Sequence, residues 1–190
     1  MSSKTKFPKP NNLLLSLLNV NTFNDDKDIL LQKISSQHHV QFFTEINCGS
    51  VERENVILSD DFYNWTLIPR DSRFAQRIGV RVPKSLSNFV KVIVKDFKYI
   101  TQETRSSGQI DKSVVQLLTL EVNAFHLFYR IVVVYRVPDA KAEATYEMYR
   151  YIDAMNPHVA LGDINIDYAK KSEFVKVLVS YRILWKNLSC

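Results

Sequence analysis

The sequence predicts a mixed α/β layered domain, on three observations. Its elements run β-α-β at the start, many strands in the middle and α-β-α at the end. From Tyr63 to Tyr135 it is rich in the β-branched and aromatic residues that suit strands. At 190 residues, 46% hydrophobic and 24% charged, it is long enough to bury one sizeable core and ordinary for a soluble globular domain.

Residues 1–12 read as a flexible basic tail broken by Pro8 and Pro10, and 13–190 as the domain. Leu13 to Asn19 is an apolar run of strand length. Asn24-Asp25-Asp26 offers helix caps, with Ile29, Leu30 and Ile34 at helical spacing up to about Gln37. Val40 to Thr44 is a second short strand that ends at Glu45, and Asn47 to Asp61 reads as a polar loop with room for a helical turn. Strands follow at Tyr63–Ile68, Ile78–Val82 and Val90–Ile100, then a polar loop from Thr101 to Lys112. Ser113–Val122 and Phe125–Tyr135 read as a hairpin turning at Asn123-Ala124, with Phe125, Leu127, Tyr129, Ile131, Val133 and Tyr135 on one face. A helix capped by Asp139 carries Ala142, Tyr146, Tyr149 and Ile152 and stops before Pro157. The Val159 strand and a last helix, Glu173 to Tyr181, complete the reading.

No apolar run is long enough to span a bilayer, and the N-terminus lacks the apolar block of a secretory signal. Both point to the nucleus or cytoplasm, with no membrane partner. Cys48 and Cys190 have no metal-site spacing and read as free thiols. The net charge of +5 leans towards a polyanion, although lysines and arginines are dispersed rather than clustered. Tyr63, Trp65 and Phe74, near Arg70, Arg73 and Arg77, read as core and rim packing ahead of nucleic-acid contacts. His38 and His39 end the first predicted helix and read as solvated; His126 and His158 sit at a strand start and a strand entry.

Four strand exits carry polar residues that apolar strands do not need: Asn19, Glu45, Tyr135, and Asp163 with Asn165. In an extended strand Asp163 and Asn165 project to one face, and Gly162 leaves room for another backbone, a phosphate or a loop to come close. If the exits gather, they supply a carboxylate for a hard divalent cation with oxygen donors around it. A second carboxylate can then orient or deprotonate a water, and Asn and Tyr can hydrogen-bond phosphoryl oxygens as charge builds.

The order Leu18-Asn19-Val20-Asn21, Phe43-Thr44-Glu45, Arg77-Ile78-Gly79-Val80, Val134-Tyr135-Arg136-Val137-Pro138 and Leu161-Gly162-Asp163-Ile164-Asn165-Ile166-Asp167 resembles the endonuclease/exonuclease/phosphatase superfamily over roughly residues 13–184. It looks most like the endonuclease domains of non-LTR retrotransposons. The resemblance implies a four-layered α/β sandwich of two packed β-sheets flanked by helices. It implies hydrolysis of a phosphodiester with Mg2+ or Mn2+, most plausibly DNA nicking, and the remainder of a larger polyprotein as a further partner. By position it gives Glu45 the role of principal metal ligand, with Asn19 near metal and phosphate. Tyr135 contacts the phosphate, Asp163 positions or activates the water, and Asn165 steadies the phosphate.

The family's closing Ser-Asp-His motif has no counterpart, since no histidine follows Asn165. The expectation is therefore a scaffold incomplete at its C-terminus, with weak or no activity alone, because acid–base help worth roughly a hundredfold is absent. A non-catalytic nucleic-acid-binding or interaction module, or a decayed remnant, on the same fold is the alternative. The basic balance favours nucleic acid over lipid headgroups.

Overall fold

The computed structural model of the chain describes residues 13–24, 27, 38–103 and 110–166. Leu15–Asn19 (β1), Val40–Cys48 (β2), Tyr63–Leu67 (β3) and Gln76–Pro83 (β4) form one sheet, in the order β1-β2-β4-β3. Val90–Glu103 (β5), Ile110–Ala124 (β6), Leu127–Arg136 (β7) and Val159–Asp163 (β8) form a second, in the order β5-β6-β7-β8. Each sheet has one parallel pair at an edge, β1 with β2 and β7 with β8; all other pairings are antiparallel.

The sheets pack face to face because each strand turns every second residue inward. Ile78, Val80 and Val82 from the first sheet meet Leu118, Leu120, Val122, Ile131 and Val133 from the second, all buried. The helix Val51–Leu58 (α1) covers the outside of the first sheet, with Ile57 against Tyr63, Trp65 and Leu67. The helix Ala142–Met155 (α2) covers the outside of the second, where Ala144, Met148 and Ile152, four residues apart, lie on Val115, Leu117, Val132 and Val134. The layers are thus helix, sheet, sheet, helix, the sandwich that the resemblance implies. No helix among the described residues is long and apolar enough to cross a membrane.

Several local expectations are corrected. The polar stretch 47–61 holds α1, whose start is fixed by the Ser50 hydroxyl accepting from the Arg53 N–H at 3.2 Å and by Glu52 and Glu54 in its first turn. The hairpin turns at Phe125 and His126 (φ 50° and 68°), not at Asn123-Ala124, so the left-handed pair carries residues that seldom adopt it. α2 begins at Ala142 after a Lys141 cap that makes no side-chain bond, so Asp139 is not its cap. The strands β5 and β6 extend into the region read as a loop from Thr101 to Lys112.

His39 is fully buried rather than solvated. Its Nδ1 accepts from the Leu14 N–H at 3.0 Å, and its ring stands edge-on to Phe125. Tyr63 and Trp65 are core, as expected, and they enclose a cation: buried Arg81 lies 4.0 Å above Tyr63 and 5.3 Å from Trp65, with its Nε donating to Gln41 at 2.7 Å. Phe74 is at the rim, stacked on Tyr99. The predicted helices after Asp26 and from Glu173, the N-terminal tail, Asp167 and Cys190 lie outside the described residues.

Candidate active site at the strand exits

Parallel neighbours leave a sheet at the same end, so the two parallel pairs each deliver two exits together. Asn19 is the register partner of Thr44, next to Glu45, and Tyr135 is the partner of Asp163. The two exits meet across the sandwich: the Asn19 Nδ2 donates to Asp163 Oδ2 at 2.7 Å. The gathering expected of Asn19, Glu45, Tyr135 and Asp163 is what the fold produces.

Each exit is held by backbone geometry. Glu45 does not end β2; it sits at φ 58° in an irregularity between Thr44 and Cys48, and the strand continues beyond it. Such a bulge re-aims one side chain, here a half-buried carboxylate. The Glu45 carbonyl accepts from the Thr22 N–H at 2.7 Å, so the loop after Asn19 is stitched to the bulge. That loop is further held by the Lys27 ammonium, which donates to the carbonyls of Val20, Asn21 and Thr22 at 2.5, 2.7 and 3.1 Å. The Asn19 side chain is fixed at both ends, since its Oδ1 accepts from the Asn21 N–H at 3.1 Å.

Gly162 is required where it stands. At φ 155° a Cβ would meet the Val134 carbonyl oxygen at 2.0 Å, so only glycine lets β7 and β8 approach. Of the backbone, phosphate or loop for which Gly162 leaves room, the structure brings in the backbone of β7.

Asn165 departs from expectation. The strand stops at Asp163, and Asn165 lies beyond it at φ 46°, so the two do not share a strand face. The cause is Arg136, buried directly after Tyr135. Its Nη1 donates to the carbonyls of Ile164 and Asn165 at 3.3 and 3.0 Å, its Nη2 to Ala140 and its Nε to Thr145 Oγ1. The Asn165 Nδ2 returns a bond to the Arg136 carbonyl at 2.8 Å. This pair folds the segment after β8 back onto the end of β7.

Burial pushes the Tyr135 phenol above its ordinary pKa of 10.0; Arg77 pulls against that, while the Glu45 and Asp163 carboxylates add to it. Tyr135 therefore remains a neutral donor between two carboxylates. Among the described residues no group of three or more His, Cys, Asp or Glu converges. Two carboxylates and an amide are too few for a closed zinc or calcium cage, and they fit Mg2+, which keeps waters and borrows phosphate oxygens.

Two more residues stand in this region: Arg77, which the sequence reading placed in the Arg77-Ile78-Gly79-Val80 motif and beside aromatic packing, and Gln116, which it did not single out. Arg77 lies half-buried with its guanidinium 5.5 Å from the Tyr135 ring centre. Gln116, buried and paired in register with Tyr135, accepts from the Arg77 N–H at 2.8 Å and donates to the Ala75 carbonyl at 2.8 Å. The only available signal was a polar residue inside an apolar strand between Val115 and Leu117.

No protein-family model and no curated protein sequence matches the chain. Solved structures do. The mannosyl-6-phosphatase of Bacteroides thetaiotaomicron superposes with a TM-score of 0.60 at 10% identity, over 89% of this chain and 70% of that one. TDP2 of D. rerio, complexed with a single-strand DNA product, gives 0.55 at 14% identity, over 88% and 64%. The endonuclease domain of TRAS1, a telomere-specific non-LTR retrotransposon, gives 0.50 at 9%, over 86% and 66%. The chain spans 66% and 64% of the lengths of two D. rerio TDP2 chains. The fold is that of endonuclease/exonuclease/phosphatase proteins.

Proposed function

We propose that this chain, with the fold of endonuclease/exonuclease/phosphatase proteins, is a divalent-metal-dependent phosphodiesterase that nicks DNA. The observation that carries the reading is the convergence of Asn19, Glu45, Tyr135 and Asp163 at one end of the sandwich, with Asn19 bonded to Asp163. The +5 charge and the DNA product held by a D. rerio TDP2 of the same fold support nucleic acid as substrate.

Glu45, with the Asn19 amide oxygen, would hold Mg2+ or Mn2+. When bound, the metal supplies positive charge to the phosphoryl oxygens. Asp163 accepts the Asn19 amide on Oδ2, which turns its other oxygen towards a water as acceptor of the proton that leaves. The Tyr135 hydroxyl donates to a phosphoryl oxygen, and its raised pKa keeps that proton in place. Asn165, its amide spent on the Arg136 carbonyl, acts by anchoring the segment after Asp163.

A second reading, a nucleic-acid-binding module without turnover, is favoured by the +5 charge and by the lack, among the described residues, of any group of three or more His, Cys, Asp or Glu that could hold a metal ion. Purified chain is expected to nick supercoiled plasmid with Mg2+ or Mn2+, and EDTA or Glu45→Ala to abolish it. Salt-dependent DNA binding with no nicking at any metal concentration would replace the first reading with the second.

A further inference from the structure

Arg77 makes no ion pair and no side-chain hydrogen bond among the described residues. Other arginines are committed: Arg70 to Glu54, Arg73 to Asp71, Arg130 to Glu121, and Arg136 to Thr145 and main-chain carbonyls. Arg77 instead lies over the Tyr135 ring, close enough to act on the phenol against Glu45 and Asp163, yet it pairs with neither carboxylate. Among the described residues its guanidinium is thus left uncommitted beside the phenol.

The backbone beneath it is fixed with unusual care. Gln116 is 1% exposed and both ends of its amide are used, on the Ala75 carbonyl and the Arg77 N–H. Gln116 belongs to β6 and Arg77 to β4, so this clamp crosses from one sheet to the other. Gln116 is also the register partner of Tyr135, so one side chain sets Arg77 relative to the phenol. A solvated arginine gains nothing from a buried clamp. A guanidinium that must meet a phosphate does, because its planar fork matches two phosphoryl oxygens only in a fixed orientation.

We infer that Arg77 binds the phosphate of a DNA strand laid across Tyr135, with Gln116 as the residue that positions it. The inference rests on the nucleic-acid reading above.

The test is equilibrium binding of a short fluorescein-labelled single-stranded DNA in EDTA, at several salt concentrations. Arg77→Met is expected to weaken binding roughly tenfold and to lower the salt slope by about 0.7, one phosphate contact on a single strand. Arg77→Lys should keep the slope and recover part of the affinity. Gln116→Leu should weaken binding several-fold with the Arg77 charge intact. Arg150→Met, removing an exposed arginine of α2, should change little, and melting curves check that each variant folds. Wild-type affinity and slope in Arg77→Met, an equal loss in Arg150→Met, or no binding by the wild-type chain would each overturn the inference. Plasmid nicking separates the two readings. Nicking with binding indifferent to Arg77 leaves the function standing; Arg77-dependent binding without nicking removes the hydrolysis alone.

Discussion

The Asn19 amide donates to Asp163 Oδ2 at 2.7 Å, across 144 residues of sequence and from one sheet to the other. It is an exposed contact, so its worth to folding is small, but it fixes one of the two Asp163 oxygens.

Asn19→Ala should therefore separate stability from activity. The loss of folding free energy is expected to be roughly 0.5 kcal/mol, while nicking falls about 10- to 100-fold, as for other residues that orient a metal site. A melting temperature and a nicking rate from one preparation check it; equal, small effects on both would make the contact ornamental.

Two glycines give opposite expectations. Gly162→Ala forces a Cβ onto the Val134 carbonyl and should cost about 3 kcal/mol or more, a fall in Tm of roughly 6–12 °C. At Gly79 a Cβ would meet only side-chain ends, of Ile46, Leu67 and Trp65, each at 3.2 Å. Gly79→Ala should cost about 1 kcal/mol. Thermal melts of the pair decide whether the β7–β8 approach is as tight as described.

His39 should make the fold acid-sensitive. Burial, and secondarily the neighbouring charge of His38, hold its pKa below the ordinary 6.5. The folded state thus favours neutral imidazole, and its contribution is complete above pH 6.5. That contribution is lost as the pH falls from about 6.5 through the depressed folded value, where the unfolded chain binds the extra proton. Denaturant midpoints should drop between pH 7.5 and pH 5.5, and His39→Gln, whose amide oxygen can still accept from Leu14, should flatten that dependence. Equal midpoints in the wild-type chain would contradict it.

Arg136→Lys should be severe. An ammonium cannot reach Thr145, Ala140, Ile164 and Asn165 together, as the buried guanidinium does. A loss of about 3 kcal/mol is expected from the orphaned carbonyls and the poorly paired buried charge. Nicking should fall further than the melting temperature accounts for, because Asn165 and the end of β8 lose their anchor.

Much of the site was legible in the sequence because polar residues closing apolar runs are conspicuous: Asn19, Glu45, Tyr135 and Asp163 stand out in this way. Parallel pairing of β1 with β2 and of β7 with β8 then brings the exits to one end. What was hidden depended on backbone conformation or on sheet-to-sheet contact. The bulge at Glu45 and the left-handed Asn165 carry no local composition signal. Gln116 reads as an interruption of β6 until its partners on β4 are known. His39 looked like a helix end because the adjacent pair His38-His39 is polar, whereas a single strand register, Leu15 with Val40, draws it inside. The helix Val51–Leu58 was obscured by the even mixture of Val, Glu, Arg and Asn, although Ser50 and its following acids were legible caps.

The reciprocal grip between Arg136 and Asn165 bears on how this scaffold can be re-engineered. Residues 135–136 and 162–165 are a cassette: the first supplies the phenol and the fork, the second the glycine, the carboxylate and the carbonyls that the fork holds. A chimera that imports either half from another sandwich of this fold inherits a lock without its key, whereas one that imports both carries the exit geometry with it.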